Sequence, residues 1–139
     1  MGRTSTITLR VRWGEADALG IVFYPNIFGW FDMASHELLR GPDQSIASLL
    51  HEGGYSVPIV ESGARFVAPA FYDDELVVAS TVAALRSRSF RVEHRIDRGD
   101  QLIATGFEVR VVAHRHPGSA GRLETTSIPE GLRSWLAGE

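Results

Sequence analysis

The stretch PNIFGWFDMASHELLRG, residues 25–41, decides the fold. Ile27, Trp30, Phe31, Ala34 and Leu38 recur at the spacing of one helical face, and Phe28, Ser35 and Leu39 form a neighbouring stripe. A helix built from these residues is apolar round most of its circumference, so it cannot lie on a surface and must be wrapped by other structure. Pro25 suits the first helical turn, where its missing N–H would have no partner anyway, and Gly41-Pro42 ends the segment.

Working outward, the wrapping material is β-structure. Upstream, Ile7, Leu9, Val11 and Trp13 alternate with Thr8, Arg10 and Arg12, the period of a half-buried strand, and Gly14 stops it. Downstream, a second helix is expected over residues 43–51, closed by Gly53-Gly54. Strands then follow over Val57 to Ala70 with a bend or bulge at Gly63, Glu75 to Leu85, Ser89 to Asp97, and Leu102 to His114. Phe90, Val92, His94 and Ile96 form one inward row; Ile103, Phe107, Val109 and Val111 form a similar apolar row. A short strand over Leu123 to Ser127 and a terminal helix over Pro129 to Leu136 complete the order. One apolar helix followed by a run of closely connected antiparallel strands excludes a doubly wound fold, which alternates strands and helices. The expected class is α+β, a curved antiparallel sheet wrapped round one long helix, with residues 1–139 as a single domain.

Composition narrows the chemistry. The net charge of −3 has the wrong sign for a phosphate-backbone binder, so no nucleic acid partner is expected. All 14 basic residues are Arg, which removes a Schiff-base lysine and a P-loop lysine; the absence of Cys removes thiol nucleophiles, disulfides and cysteine zinc sites. No N-terminal apolar leader and no run of about 18 apolar residues is present, so neither export nor membrane insertion is expected and the location is read as cytoplasmic.

The informative motif precedes the helix. Trp13-Gly14-Glu15-Ala16-Asp17-Ala18-Leu19-Gly20-Ile21-Val22-Phe23-Tyr24-Pro25-Asn26 sets two carboxylates in a glycine-flanked loop at a helix N-terminus. Unpaired backbone N–H groups and about half a positive charge there stabilise a carbonyl oxygen that gains negative charge. A carboxylate beside it can attack that carbonyl or activate water against it. The plainer reading is that Asp17 or Glu15 only caps a turn.

These residues resemble the hot-dog fold acyl-CoA thioesterases, the 4-hydroxybenzoyl-CoA thioesterase family. The resemblance rests on Gly14-x-x-Asp17-x-x-Gly20-Ile21-Val22-x-Tyr24-Pro25-Asn26, then Trp30-x-Asp32-x-Ala34-Ser35, Pro58-Ile59-Val60, Tyr72-Asp73-Asp74 and Arg86-Ser87-Arg88-Ser89-Phe90, covering roughly residues 6 to 115. Glu15 stands where the family usually has Asp, and Ser87 interrupts its basic triplet. The resemblance implies hydrolysis of an aryl-CoA thioester, 4-hydroxybenzoyl-CoA or a close analogue, without metal or other cofactor. It implies Asp17 as nucleophile or general base and the backbone N–H of Tyr24 as the group polarising the thioester carbonyl. It further implies Asp32 in the aromatic acyl pocket, Arg86 and Arg88 on CoA phosphates, and a homo-oligomer, a tetramer built from dimers. The alternatives are a short- or medium-chain aliphatic acyl-CoA thioesterase and a non-catalytic acyl-CoA binding module.

Each of these has a structural counterpart. Asp32 is matched by His36 at i+4 for a surface pair, and Arg86 and Arg88 stand in a tight link where a solvated turn is equally natural, although the guanidinium fork suits phosphate. Arg122 is a weaker phosphate candidate. His114-x-His116 lacks neighbouring ligands for zinc, and His94 on its apolar row reads as a hydrogen-bonded core residue. No Gly-x-Ser-x-Gly elbow is present, which disfavours a serine hydrolase.

Overall fold

The computed structural model describes residues 2–41, 45–115 and 122–139. The central helix α1 runs Pro25–Leu39 with Pro at its start, and Ile27, Trp30, Phe31, Ala34, Ser35, Leu38 and Leu39 are buried. Each of the large apolar side chains among them contributes roughly 1.5–3 kcal/mol by leaving water. A five-stranded antiparallel sheet wraps this helix. Its strands are β1 (Thr4–Arg10), β3 (Ile59–Phe66), β4 (Glu75–Leu85), β5 (Ser89–Arg98) and β6 (Gln101–Val111), in the spatial order β1-β4-β5-β6-β3. The expected α+β wrap is what forms. A second, smaller sheet joins β2 (Tyr55–Ser56), β7 (Ala113–Arg115) and β8 (Leu123–Thr125). Helices α2 (Ile46–Gly53) and α3 (Glu130–Ala137) complete the order; α3 ends on Gly138 in the left-handed conformation that suits a C-terminal cap. The expected start of α2 at residue 43 lies outside the described residues.

The two halves of α1 pack into two core clusters. Ile27, Trp30, Phe31 and Ala34 meet Val11, Leu76, Val78, Ile96 and Ile103. Leu38 and Leu39 meet Val82, Phe90, Val92 and the inward residues Leu132 and Leu136 of α3.

Four expectations are corrected. Trp13 is not the last inward residue of the first strand: β1 stops at Arg10, Val11 is still buried, and Trp13 opens a short 3₁₀ turn, 78% exposed, with its ring edge-on to Tyr72. The irregularity in β3 falls between Ile59 and Glu61, not at Gly63. Gly63 pairs regularly with Phe107, and a Cβ there would sit 2.7 Å from the Phe107 ring, so close approach explains this glycine. The segment 102–114 is two strands, since the chain leaves the main sheet after Val111 and continues as β7 in the small one.

The fourth correction matters most. Ile96 pairs with Ala104 and Asp97 with Leu102, so Ile103 is an extra residue in β6. Ile103 and Ala104 are consecutively buried, and beyond this bulge the faces exchange. Phe107, Val109 and Val111 therefore lie on the outer face, while Glu108 and Arg110 point into the core and are buried. Gly106 faces inward with them, where a Cβ would collide with the Phe31 ring.

Candidate active site

The loop between β1 and α1 is closed by its own backbone. Asp17 N–H donates to Ile21 O at 2.8 Å and Gly20 N–H to Asp17 O at 2.9 Å, with Gly20 at φ 83°, a conformation open to glycine. The chain returns toward the sheet as Val22 N–H reaches Ala70 O at 2.8 Å and Phe23 N–H reaches Glu15 O at 2.9 Å. Asp17 is half-buried, and its Oδ1 accepts Leu19 N–H at 2.8 Å, which leaves Oδ2 without a partner among the described residues. One oxygen of Asp17 therefore caps the turn, and the other is available.

Tyr24 is the residue before Pro25 and caps α1. Its backbone N–H makes no hydrogen bond among the described residues, so it is an open donor at the positive end of a 15-residue helix. Beside it opens a mainly apolar cleft of about 440 Å³ bordered by Ile21, Tyr24, Ile27, Phe66, Ala70 and Ile103. The Tyr24 ring meets Phe66 edge-to-face at 6.1 Å and Phe23 at 5.4 Å, giving the mouth of this cleft an aromatic rim. The open N–H of Tyr24 thus borders the apolar cleft, and the loop that carries Asp17 leads directly into that helix start.

The other candidates stand elsewhere. Asp32 lies eight residues along α1 from Tyr24, about 12 Å by the helical rise. It is half-exposed and not unpaired: Oδ1 accepts Arg110 Nη2 at 2.7 Å, and Oδ2 lies 3.5 Å from His36 Nε2. Arg86 and Arg88 occupy the exposed turn between β4 and β5. Arg88 Nη1 donates to Thr125 O at 3.1 Å, and Arg86 makes no ion pair among the described residues. The register puts this turn far from Asp17. Arg10, at the loop end of β1, pairs with Glu75 at the start of β4, whereas Arg86 follows its other end; that is about 30 Å for a strand of this length. Exposed Arg122 leads into β8 near the same turn. His114 Nε2 lies 3.1 Å from Gly53 O, and His116 lies outside the described residues.

Sequence reasoning missed the polar cluster sealed beneath the middle of α1. Glu108 Oε1 accepts the Ser35 hydroxyl and lies 3.2 Å from His94 Nε2, whose Nδ1 lies 2.7 Å from Ser80 Oγ. Arg110 approaches both Glu108 oxygens at 3.3 Å and donates to Val57 O at 2.9 Å. The Phe31 ring stacks on His94 at 4.7 Å. Burial pushes the Glu108 carboxyl up, but the His94 hydrogen bond, the Arg110 charge and the Ser35 hydroxyl outweigh it, so Glu108 is held below the usual carboxylate range. His94 is the hydrogen-bonded core histidine expected, and neither it nor Glu108 meets solvent.

The sequence pattern of the thioesterase-like superfamily matches residues 11–136. The chain belongs to this superfamily. It is 34% identical over 136 residues to the 4-hydroxybenzoyl-CoA thioesterase of Pseudomonas sp. strain CBS-3, covering 93% of this chain and 94% of that one. It is 28% identical over 130 residues to the 1,4-dihydroxy-2-naphthoyl-CoA hydrolase of Synechococcus sp. strain RCC307, covering 91% and 95%. The crystal structure of a 4-hydroxybenzoyl-CoA thioesterase mutant complexed with 4-hydroxybenzoyl-CoA superposes with a TM-score of 0.85 at 31% identity, over 96% of this chain and 99% of that one. The protein is accordingly a hot-dog thioesterase, an acyl-CoA thioester hydrolase. Among the described residues no helix is long and apolar enough to cross a membrane.

Proposed function

We propose that the enzyme hydrolyses a hydroxylated aryl-CoA thioester, 4-hydroxybenzoyl-CoA or a close analogue, with Asp17 as the reacting carboxylate. The observation that carries this reading is the free Oδ2 of Asp17 in the loop leading to an open Tyr24 N–H, beside an aromatic-rimmed cleft. With the thioester carbonyl oxygen at that N–H, negative charge developing on it meets a fixed dipole in an apolar setting. In one route the carboxylate bonds to the carbonyl carbon and the C–S bond breaks, giving a mixed anhydride and CoA thiolate; water then opens the anhydride. In the other, Asp17 takes a proton from water as the water oxygen bonds to carbon, and that proton leaves with the thiolate. The residues support both. The Tyr24 side chain serves as cleft wall.

The relatives' substrates are hydroxylated aryl-CoA esters, and the Tyr24–Phe66 pair offers the edge-to-face contacts that an aromatic acyl group favours. Asp32 is proposed as acceptor for a ring hydroxyl through Oδ2, since Oδ1 is taken by Arg110. Arg86 and Arg88 are proposed as phosphate contacts, being exposed and free of ion pairs among the described residues. Because these arginines and Asp17 lie at opposite ends of one sheet, a single CoA thioester contacts both only across two chains. A homodimer paired along β3, assembling into a tetramer, supplies this; that edge strand presents exposed Ile59, Val60 and Phe66. A CoA thioester substrate goes with a cytoplasmic location and with residues 1–139 acting as one catalytic domain.

The test is release of CoA thiol from 4-hydroxybenzoyl-, benzoyl- and hexanoyl-CoA by wild type and Asp17→Asn. Expected is a preference for the hydroxylated ester and a loss of at least ~10²-fold in kcat for the variant. Preference for hexanoyl-CoA would transfer the reading to an aliphatic thioesterase, and near-normal turnover by Asp17→Asn would remove Asp17 from the chemistry.

A further inference from the structure

Two residues before Asp17 stands a carboxylate that solvent barely reaches. The Glu15 side chain is 13% exposed although Arg12, Trp13 and Gly14 beside it are open to water. Its Oε1 accepts the backbone N–H of Arg12 at 2.7 Å, its Oε2 accepts the indole N–H of Trp30 at 3.1 Å, and the Arg12 guanidinium lies 3.4 Å from both oxygens. The main chain of the same residue is equally committed. Glu15 O accepts Phe23 N–H at 2.9 Å and the Asn26 side-chain amide at 2.9 Å. Burial raises the Glu15 carboxyl, but these donors and the Arg12 charge hold it below the ordinary carboxylate range.

A residue that only capped the 3₁₀ turn would need the Arg12 bond and nothing more. The bond to Trp30 reaches a buried side chain of α1, the helix whose first open N–H is that of Tyr24, and the Phe23 and Asn26 bonds fix the chain on either side of Tyr24. We propose that Glu15 is a positioning residue: its side chain, acting through Trp30 while its main-chain carbonyl holds Phe23 and Asn26, sets the separation between the Asp17 carboxylate and the Tyr24 N–H without touching substrate. The inference rests on the reading of Asp17 and Tyr24 given above. The longer side chain has a geometric reason, since it must satisfy a backbone N–H of its own turn and an indole on another element, and an Asp there would be one methylene short of doing both.

Misplacing reacting groups by about 1 Å can cost 10²-fold in rate. Steady-state kinetics of Glu15→Gln, Glu15→Asp and Trp30→Phe therefore test the idea, alongside thermal unfolding and the Asp17→Asn control. Trp30→Phe keeps most of the ring packing and removes only the indole donor. The expected result is a kcat lowered ~10- to 100-fold in Glu15→Gln and Trp30→Phe, with KM within about threefold of wild type and folding intact. The double variant Glu15→Gln/Trp30→Phe should lose little beyond either single, because the two act through one bond. Unchanged kcat in both singles, with Asp17→Asn inactive, would overturn the positioning role, as would a loss seen only as lower thermal stability. Activity in Asp17→Asn would instead overturn the reading beneath it. If Glu15→Asp fails to fold, Glu15→Gln and Trp30→Phe still decide.

Discussion

Removing Arg110 should cost far more stability than removing it together with the carboxylate it faces. The guanidinium is 3% exposed and neutralises Glu108, which is 1% exposed, while also donating to Val57 O and Asp32. In Arg110→Ala the Glu108 anion stays in the core with only His94 and Ser35 beside it, and the Val57 carbonyl loses its donor. Breaking a buried pair from one side typically costs about 3–5 kcal/mol. Against a usual total of ~5–15 kcal/mol this leaves the variant marginal. In Arg110→Met/Glu108→Leu no charge is stranded; Asp32 is half-exposed and rehydrates, while the Val57 carbonyl, Ser35 and His94 each lose one partner, so a loss of ~1–3 kcal/mol is expected. Urea unfolding followed by circular dichroism at pH 7, with the m-value checked for constancy, measures both. A single variant that loses under ~1 kcal/mol, or a double variant that loses as much as the single, would refute the claim that the pair is held by mutual neutralisation.

The same pair gives a difference between the two proteins that depends on pH. In wild type the folded Glu108 carboxyl titrates below its ordinary 4.5, so its contribution is present above that value and is lost as the pH falls through the folded value. Without Arg110 one of the interactions that hold the folded value down is gone, so the folded value moves up from its wild-type position. The penalty in Arg110→Ala is then largest at neutral pH and shrinks as the pH falls and Glu108 takes up a proton.

Removing the guanidinium of Arg86 or Arg88 should raise KM for full CoA thioesters and leave a substrate truncated before the nucleotide unaffected, because phosphates remote from the carbonyl are held alike in ground and transition states; equal losses with both substrates would make these arginines structural. Mixing inactive Asp17→Asn chains with Arg86→Ala/Arg88→Ala chains should restore low-KM turnover, since one site of each hybrid dimer is then intact; no gain on mixing would contradict a site shared between chains. Asp73 is the one described non-glycine residue with positive φ, at 71°. Asp73→Gly relieves that strain at the cost of backbone entropy, and the exposed Arg10 contact it gives up is worth little, so its thermal midpoint should match or slightly exceed wild type, and a clear drop would show that the side chain matters.

Much of this was legible in sequence because local pattern and burial agree. The apolar circumference of residues 25–39 demanded a wrapping sheet, and the strict alternation in β5 placed Phe90, Val92, His94 and Ile96 inward as observed. The phase of β6 was not legible. One extra residue at Ile103 reverses every later side chain, and nothing local announces it. Phe107, Val109 and Val111 then look like core, while Glu108 and Arg110 look like surface. Their burial depends on partners that lie on α1, on β5 and in the segment before β3, contributed by Asp32, Ser35, Val57 and His94. That the loop carrying Asp17 runs straight into the start of α1 at Tyr24 was readable because the two are contiguous in the chain. The Glu15 bond to Trp30 joins residues 15 apart on different elements, and no spacing rule reports it.

The separation of Asp17 from Arg86 and Arg88 also dictates how two chains must meet if the site is shared. Strand β3 begins at Ile59, opposite Arg110 near the arginine turn, and ends at Phe66, opposite Ala104 near the Asp17 loop. It is an edge strand, and its outer backbone groups are free to pair with another strand. A two-fold, antiparallel contact between two copies of β3 would bring the Phe66 end of one copy beside the Ile59 end of the other. That operation would turn the Asp17 end of each chain toward the arginine end of the other. A parallel, translational contact would instead align Asp17 loops with Asp17 loops and leave both halves incomplete. If the site is shared as proposed, the polarity of this edge strand and the placement of the two groups at opposite ends of the sheet call for the same closed dimer.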